Sequence, residues 1–123
     1  MLLLASTADK LQVVTAGTQP IACHASYSDS IGTVVSYGRK NTPIVTATTT
    51  DIAGSPTSGV ARNVHTVTVV NNGTAPEVVT VQQTDGTQIV PAVSLTMPAG
   101  SSLVWANKAP WMFVAPNGAR AIL

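Results

Sequence analysis

Apolar and polar side chains alternate along this chain with a period of two, the spacing of a strand with one face in a core and the other in water. Leu11-Gln12-Val13 and Val67-Thr68-Val69 show it most plainly, and Val, Ile and Thr fill much of the sequence between. These β-branched residues are stiff at χ1 and pack well on a pleated surface. Gly and Pro recur at short intervals, from Gly17 and Pro20 to Pro116 and Gly118, so few windows could hold a helix. The pattern predicts strands at residues 10–16, 21–28, 33–37, 43–52, 63–70, 77–83, 87–90 with a continuation to 97, 102–106, 111–115 and 119–123. That many short strands suffice for two packed sheets. The expected fold is all-β: a two-sheet antiparallel sandwich, jelly-roll-like, in a single domain over 1–123. The apolar opening, with Leu2, Leu3 and Leu4, reads as an initial strand or as an extended N-terminal arm over 1–9. Asp9 and Lys10 follow too soon for a signal peptide or a spanning helix.

Turn chemistry sharpens the picture. Asp85-Gly86 stands between two β-branched runs, the signature of a two-residue type I′ hairpin, because both residues tolerate positive φ. That register sets Val81 opposite Val90 and Gln83 opposite Gln88. Asn117-Gly118 suggests another hairpin, but Pro116 lacks an N–H, so this turn is expected to be wider or to lie at a sheet edge. Residues 54–59, Gly-Ser-Pro-Thr-Ser-Gly, read as a loop.

Charge narrows the function. Charged residues are 9% of the chain and the net charge is +1, against roughly 25% charged residues in an average soluble domain. No basic surplus exists to neutralise a phosphate backbone, so nucleic acid is not an expected partner. Hydrophobic residues are 45% and mean hydropathy is +0.30, which argues against disorder. The single Cys23 cannot form an intrachain disulfide. With aromatics at 4%, the core must be aliphatic and thin, a core that oligomerisation or a partner would help.

The residues that carry chemistry do not assemble into a reaction centre on paper. Cys23 and His24 are adjacent in a strand and so point to opposite faces; Cys23 with His65 is the one other pairing, and nothing in the spacing supports it. Asp9, Asp29, Asp51, Glu77 and Asp85 fall mostly at strand ends and turns, where local hydrogen bonding favours acidic residues. Residues 32–41 look superficially like a phosphate loop, but five residues separate Gly32 from Gly38, and Asn41 stands where a magnesium-binding hydroxyl is needed. Arg39 and Lys40 are then solvated basic residues or a grip on an acidic partner. Asn72-Gly73-Thr74 is a sequon that a Thr-rich chain produces readily by chance. Trp105, Trp111 and Phe113 form a core corner, or Trp105 and Trp111 join Tyr27 in a platform for a sugar. No catalytic, metal or cofactor residues are expected, and the chain is not expected to be an enzyme.

Several landmarks occur in order: residues 4–14, Leu-Ala-Ser-Thr-Ala-Asp-Lys-Leu-Gln-Val-Val; His24-Ala25-Ser26-Tyr27; Thr84-Asp85-Gly86-Thr87; Leu95, Ala99, Gly100, Leu103 and Trp105; and Trp111 with Asn117-Gly118. Together they resemble a group of small β-rich virion proteins of tailed bacteriophages, over nearly the whole chain. The resemblance implies a virion structural role, foremost a capsid decoration (cement) protein bound to the major capsid protein as a dimer or trimer. It implies assembly in the host bacterial cytoplasm and residence in the virion. A tail or head-fibre accessory protein is the alternative within that class, and a carbohydrate-binding sandwich the alternative outside it. The residues expected at a partner contact are Leu2, Leu3, Leu4, Arg39, Lys40, Trp105 and Trp111; no cofactor, nucleic acid or membrane is expected.

Overall fold

The computed structural model describes residues 2–123 as eleven strands and no helix. They are β1 (Leu2–Leu4), β2 (Lys10–Thr15), β3 (Ile21–Ile31), β4 (Val34–Ile44), β5 (Thr48–Ala53), β6 (Ala61–Asn71), β7 (Glu77–Thr84), β8 (Ile89–Met97), β9 (Ser102–Ala106), β10 (Met112–Val114) and β11 (Arg120–Ile122). The larger sheet has the order β11-β10-β9-β6-β3-β4, and the smaller one β5-β2-β7-β8. All pairings are antiparallel. The β2–β7 and β3–β6 pairings are nested, which makes the wiring jelly-roll-like. The two inner faces bury a core of aliphatic side chains. Leu11, Val13, Ile52, Val79 and Val81 come from the smaller sheet, and Ile21, Cys23, Ala25, Val64, Val67, Val69 and Leu103 from the larger.

The opening segment takes the strand form. β1 pairs with β6 at Leu2↔Val64 and Leu4↔Arg62, on the same edge of β6 that β9 occupies further along. Leu4 is fully buried, so it packs within its own chain and is not free to meet a partner; Leu2 also packs on the core, and Leu3 alone is exposed. Asp9 fixes the return, its carboxylate accepting the N–H groups of Ala5 and Ser6. The Ala5 bond, first, and those of Ser6 hold the Asp9 carboxyl below its usual range. Met1 lies outside the described residues.

Three local expectations are corrected. The Asp85-Gly86 turn is not two-residue: Thr84 pairs with Ile89 and Gln83 with Val90, leaving a loop over 85–88. Gly86 has φ of 92°, but Asp85 does not share the positive φ that type I′ requires. Asp85 instead accepts the N–H groups of Thr87 and Gln88, which relieves it of that conformation. A bulge past Gln82 then sets Val81 opposite Val93. The strand expected at 43–52 is two strands in different sheets, with the chain crossing between them at 45–47. The strands expected at 21–28 and 33–37 are the two arms of one long hairpin, joined by a turn at Gly32-Thr33 in which Gly32 has φ of 58°. The Pro116 turn is wide, with the Ala115 N–H bonded to the Ala119 carbonyl, and it joins β11, the edge of the larger sheet.

Polar groups close one end of the sandwich, where β6, β9, β8, β7, β2 and β3 start or finish. Asn71 has no exposed surface, and its Nδ2 donates to the carbonyls of Ala75 at 3.0 Å and Met97 at 2.9 Å. Its Oδ1 accepts the Gly73 N–H. This one amide ties β6 of the larger sheet to β8 of the smaller and shapes the loop between β6 and β7. The buried Glu77 accepts the Gly17 and Gln19 N–H groups, and the Gln19 side chain accepts those of Thr74 and Ala75. Gly17 leaves room for that carboxylate, since a Cβ would lie 2.8 Å from a Glu77 oxygen and would push the side chain off its bonds. Removing the Asn71 amide strands the buried Met97 carbonyl, and the part-buried Ala75 carbonyl and Gly73 N–H lose their partner. Asn71→Ala is therefore expected to lower stability by about 2–4 kcal/mol. Asn71→Asp should lower it further at neutral pH, because an acceptor then faces two carbonyl oxygens. Urea unfolding followed by tryptophan fluorescence measures both.

Candidate functional site

The register of the larger sheet determines which side chains point away from the core. One outward row runs Asn41, His24, Thr68, Val104, Met112, Ile122, and the next runs Pro43, Ala22, Val70, Ser102, Val114, Arg120. A third row begins Arg39, Ser26, Thr66, Ala106. Apart from Arg39 and Arg120 these are neutral or apolar groups, and most are half-buried. Two pairs of polar side chains are engaged with each other: His24 Nδ1 donates to Asn41 Oδ1 at 2.6 Å, and Ser26 bonds Thr66. Between β4, β3 and β6 the face dips into a cavity of about 300 Å³, lined by Ala22, His24, Asn41, Pro43, Thr68 and Val70 among others.

The outer face of the smaller sheet differs. Gln12, Gln82 and Asp51 form a hydrogen-bonded chain across three strands, with Lys10 beside Asp51 at 3.5 Å and Thr80 bonded to Ser94. That face carries a connected polar network, interspersed with Val14, Val78 and Ile89, the last two exposed.

Charge separates the two faces as well. All five carboxylates are engaged by their own chain: Asp9, Glu77 and Asp85 by backbone N–H groups, Asp29 by Arg62 and Asp51 by Lys10. Among the described residues Arg39, Lys40, Lys108 and Arg120 carry no ion pair. Arg39 and Arg120 stand at opposite margins of the larger sheet's outer face. They are five strand spacings apart, or roughly 24 Å across the sheet. None of the five engaged carboxylates lies between them.

The residues expected at a partner contact do not come together. Arg39 points outward from β4 and is exposed. Its neighbour Lys40 reaches across to the other sheet and donates to the Asp51 carbonyl at 2.9 Å. Trp105 is buried and Trp111 packs against it, ring centroids 6.0 Å apart. Tyr27 lies in the core margin beneath the Arg62 guanidinium, 4.1 Å from its centroid, and its ring occupies the space a Gly38 side chain would fill. The three rings thus form no exposed platform. Arg62 is fixed by Asp29 through two bonds, which raise its already high pKa.

A serine–histidine contact arises that the sequence reading missed. Ser28 Oγ lies 2.8 Å from His65 Nε2, where β6 bulges against β3 between Ser26 and Tyr27. Ser28 is buried, so the pair holds the bulge and offers no open nucleophile. The sequence carried a sign of that bulge: Val64, Val67 and Val69 all face inward, and a spacing of three between the first two breaks the period of two. Cys23 faces the core and His24 the outside, as strand alternation requires. Among the described residues no three His, Cys, Asp or Glu side chains converge. Comparison of the chain with protein-family models, curated proteins and solved structures finds no match.

Burial pushes the Cys23 thiol up to about 12 from its ordinary 9.0. The thiolate is the reactive form, so Cys23 should resist iodoacetamide at pH 8 in the folded chain and react fully in guanidinium, as mass spectrometry would show. The unfolded thiol loses its proton first as pH rises. Stability is therefore expected to fall between about 9 and about 12, and Cys23→Ala should remove that component of the slope.

Proposed function

We propose that this chain is a virion structural protein of a tailed bacteriophage: a capsid decoration protein that seats on the major capsid protein through the outer face of its larger sheet. The observation that carries the reading is the contrast between the two outer faces. One carries a connected network of Gln, Asp, Lys, Thr and Ser side chains, with Val78 and Ile89 exposed among them. The other is a broader sheet of mostly Ala, Thr, Ser, Val and Met side chains, with a cavity between β4, β3 and β6 and unpaired arginines at its margins. A surface depleted of charge in its middle and charged only at its rim is a mark of contact surfaces. The ordered resemblance to small β-rich virion proteins supplies the particle on which such a face would act.

The physics of attachment follows from the residues on that face. Small side chains on a flat sheet let a partner backbone approach closely, and the cavity beside His24 suits one protruding apolar side chain. With two arginines and no carboxylate, the contact rests chiefly on burial of apolar area and on hydrogen bonds to neutral Thr, Ser and Asn groups. Exposed ionic contacts weaken as the Debye length falls from roughly 10 Å at 0.1 M salt to about 3 Å at 1 M, whereas apolar contacts persist or strengthen. Washing purified particles should therefore leave most copies attached across that salt range and strip them in guanidinium below the concentration that opens the shell. Thr68→Asp places a charge on the middle of the face with no lysine or arginine beside it, and the adjacent His24 is held by Asn41. It should weaken rebinding to stripped particles at least about ten-fold with an unchanged melting temperature. Gel densitometry of retained copies reads both, and complete release by sodium chloride with the shell intact would overturn the reading.

A further inference from the structure

The edge of the larger sheet opposite β11 divides into two halves. β4 is its terminal strand, and its pairing with β3 is unbroken over all eleven residues, so its outer backbone groups form a regular, unoccupied row. Edge strands are usually guarded by charge, proline or a bulge. The lower half of β4 has such guards in Arg39, Lys40 and Pro43. The upper half, Val34-Val35-Ser36-Tyr37, has none, and Val34, Val35 and Tyr37 are 63%, 50% and 85% exposed. Gly32 and Thr33 complete a hairpin end without charge.

We propose that this half-edge pairs with the same segment of a second copy, in an antiparallel two-fold contact centred on Ser36. A two-fold axis normal to the sheet sets residues opposite one another whose numbers sum to an even value, and the centre at Ser36 gives the best complement. Val35 of each copy then lies opposite Tyr37 of the other, on one face, as two aromatic–β-branched pairs of the kind that stabilise sheets. Val34 lies opposite Gly38, where the backbone carries no side chain of its own. Arg39 lies opposite Thr33, so the two Arg39 side chains stay six residues apart, roughly 20 Å. Moving the centre toward Lys40 would set like charges side by side. The basic lower half thus selects the register, and the unguarded upper half supplies the contact. A two-fold contact of this kind is closed and joins the two larger sheets into one.

A charge exchange across the axis tests this on the purified full chain. By sedimentation equilibrium up to roughly 1 mM, the wild-type chain is expected to dimerise. Val35→Lys and Tyr37→Glu should each weaken the dimer at least ten-fold, with the circular dichroism spectrum and melting temperature retained, since both positions are exposed. The double variant V35K/Y37E sets each lysine against a glutamate of the other copy and should restore the dimer. Restoration should be lost in about 1 M sodium chloride. As a second measurement that leaves the edge uncharged, Ser36→Cys places two thiols on the axis and should give a covalent dimer with diamide. Val78→Cys, on the smaller sheet, should not. A wild-type chain that stays monomeric, single variants that dimerise like wild type, or a double variant no tighter than the singles would each overturn the proposal.

Discussion

A single buried amide couples the two sheets at one end of this sandwich. Asn71 closes β6 in the larger sheet, yet its donors reach the Met97 carbonyl at the end of β8 and the Ala75 carbonyl in the loop toward β7. A fully desolvated amide has to be satisfied on every side, so its partners are held in one arrangement. Glu77 acts beside it, drawing the N–H groups of the β2–β3 loop onto the start of β7. Aliphatic packing is tolerant of small shifts; hydrogen bonds to a buried carboxylate and amide are not. The thin core therefore borrows its uniqueness from polar groups at its rim.

The opposite end is built differently. There the long β3–β4 hairpin leaves the sandwich, supported where Asp29 holds Arg62, Arg62 lies over Tyr27 and Tyr27 covers Gly38. Beyond that stack the hairpin has exposed residues on both faces. Ile89 and Val90, at the start of β8 on the same end, are exposed as well. One end is thus sewn shut by buried polar groups, and the other presents apolar side chains and free backbone to whatever approaches.

The proposed function and the proposed self-association use different parts of this asymmetry. The sheet face offers area with little charge, and the β4 edge offers backbone hydrogen bonds with a charge-set register. Joining two edges would place two such faces side by side in one continuous sheet, doubling the area available to a shell without a new kind of contact. The sparseness of charge follows from the same economy: the carboxylates serve turns and ties inside the chain, and only a few basic groups remain at the margins.

Composition and the period of two were enough to establish an all-β chain, its two sheets and nearly every strand, because alternation reports directly which side chains share a face. Asn117-Gly118 with Pro116 likewise disclosed a wide turn, since a missing N–H is a local fact. The Asp85-Gly86 loop defeated the same reasoning: the Asp85 carboxylate caps two backbone N–H groups of a wider loop, in which Gly86 alone of the pair takes positive φ. The split of residues 43–52 between two sheets was not legible, because a strand that bends across and two strands that pair in different sheets have the same alternation. Neither was the outward face, where Thr68, Val104 and Met112 become neighbours only through registers set by strands far apart in sequence. Nor could the sequence say that Leu4 is core while Val34 and Tyr37 are bare. All three sit in similar apolar runs, and burial depends on which strand lies across from each, a property of the assembled sheets rather than of any segment.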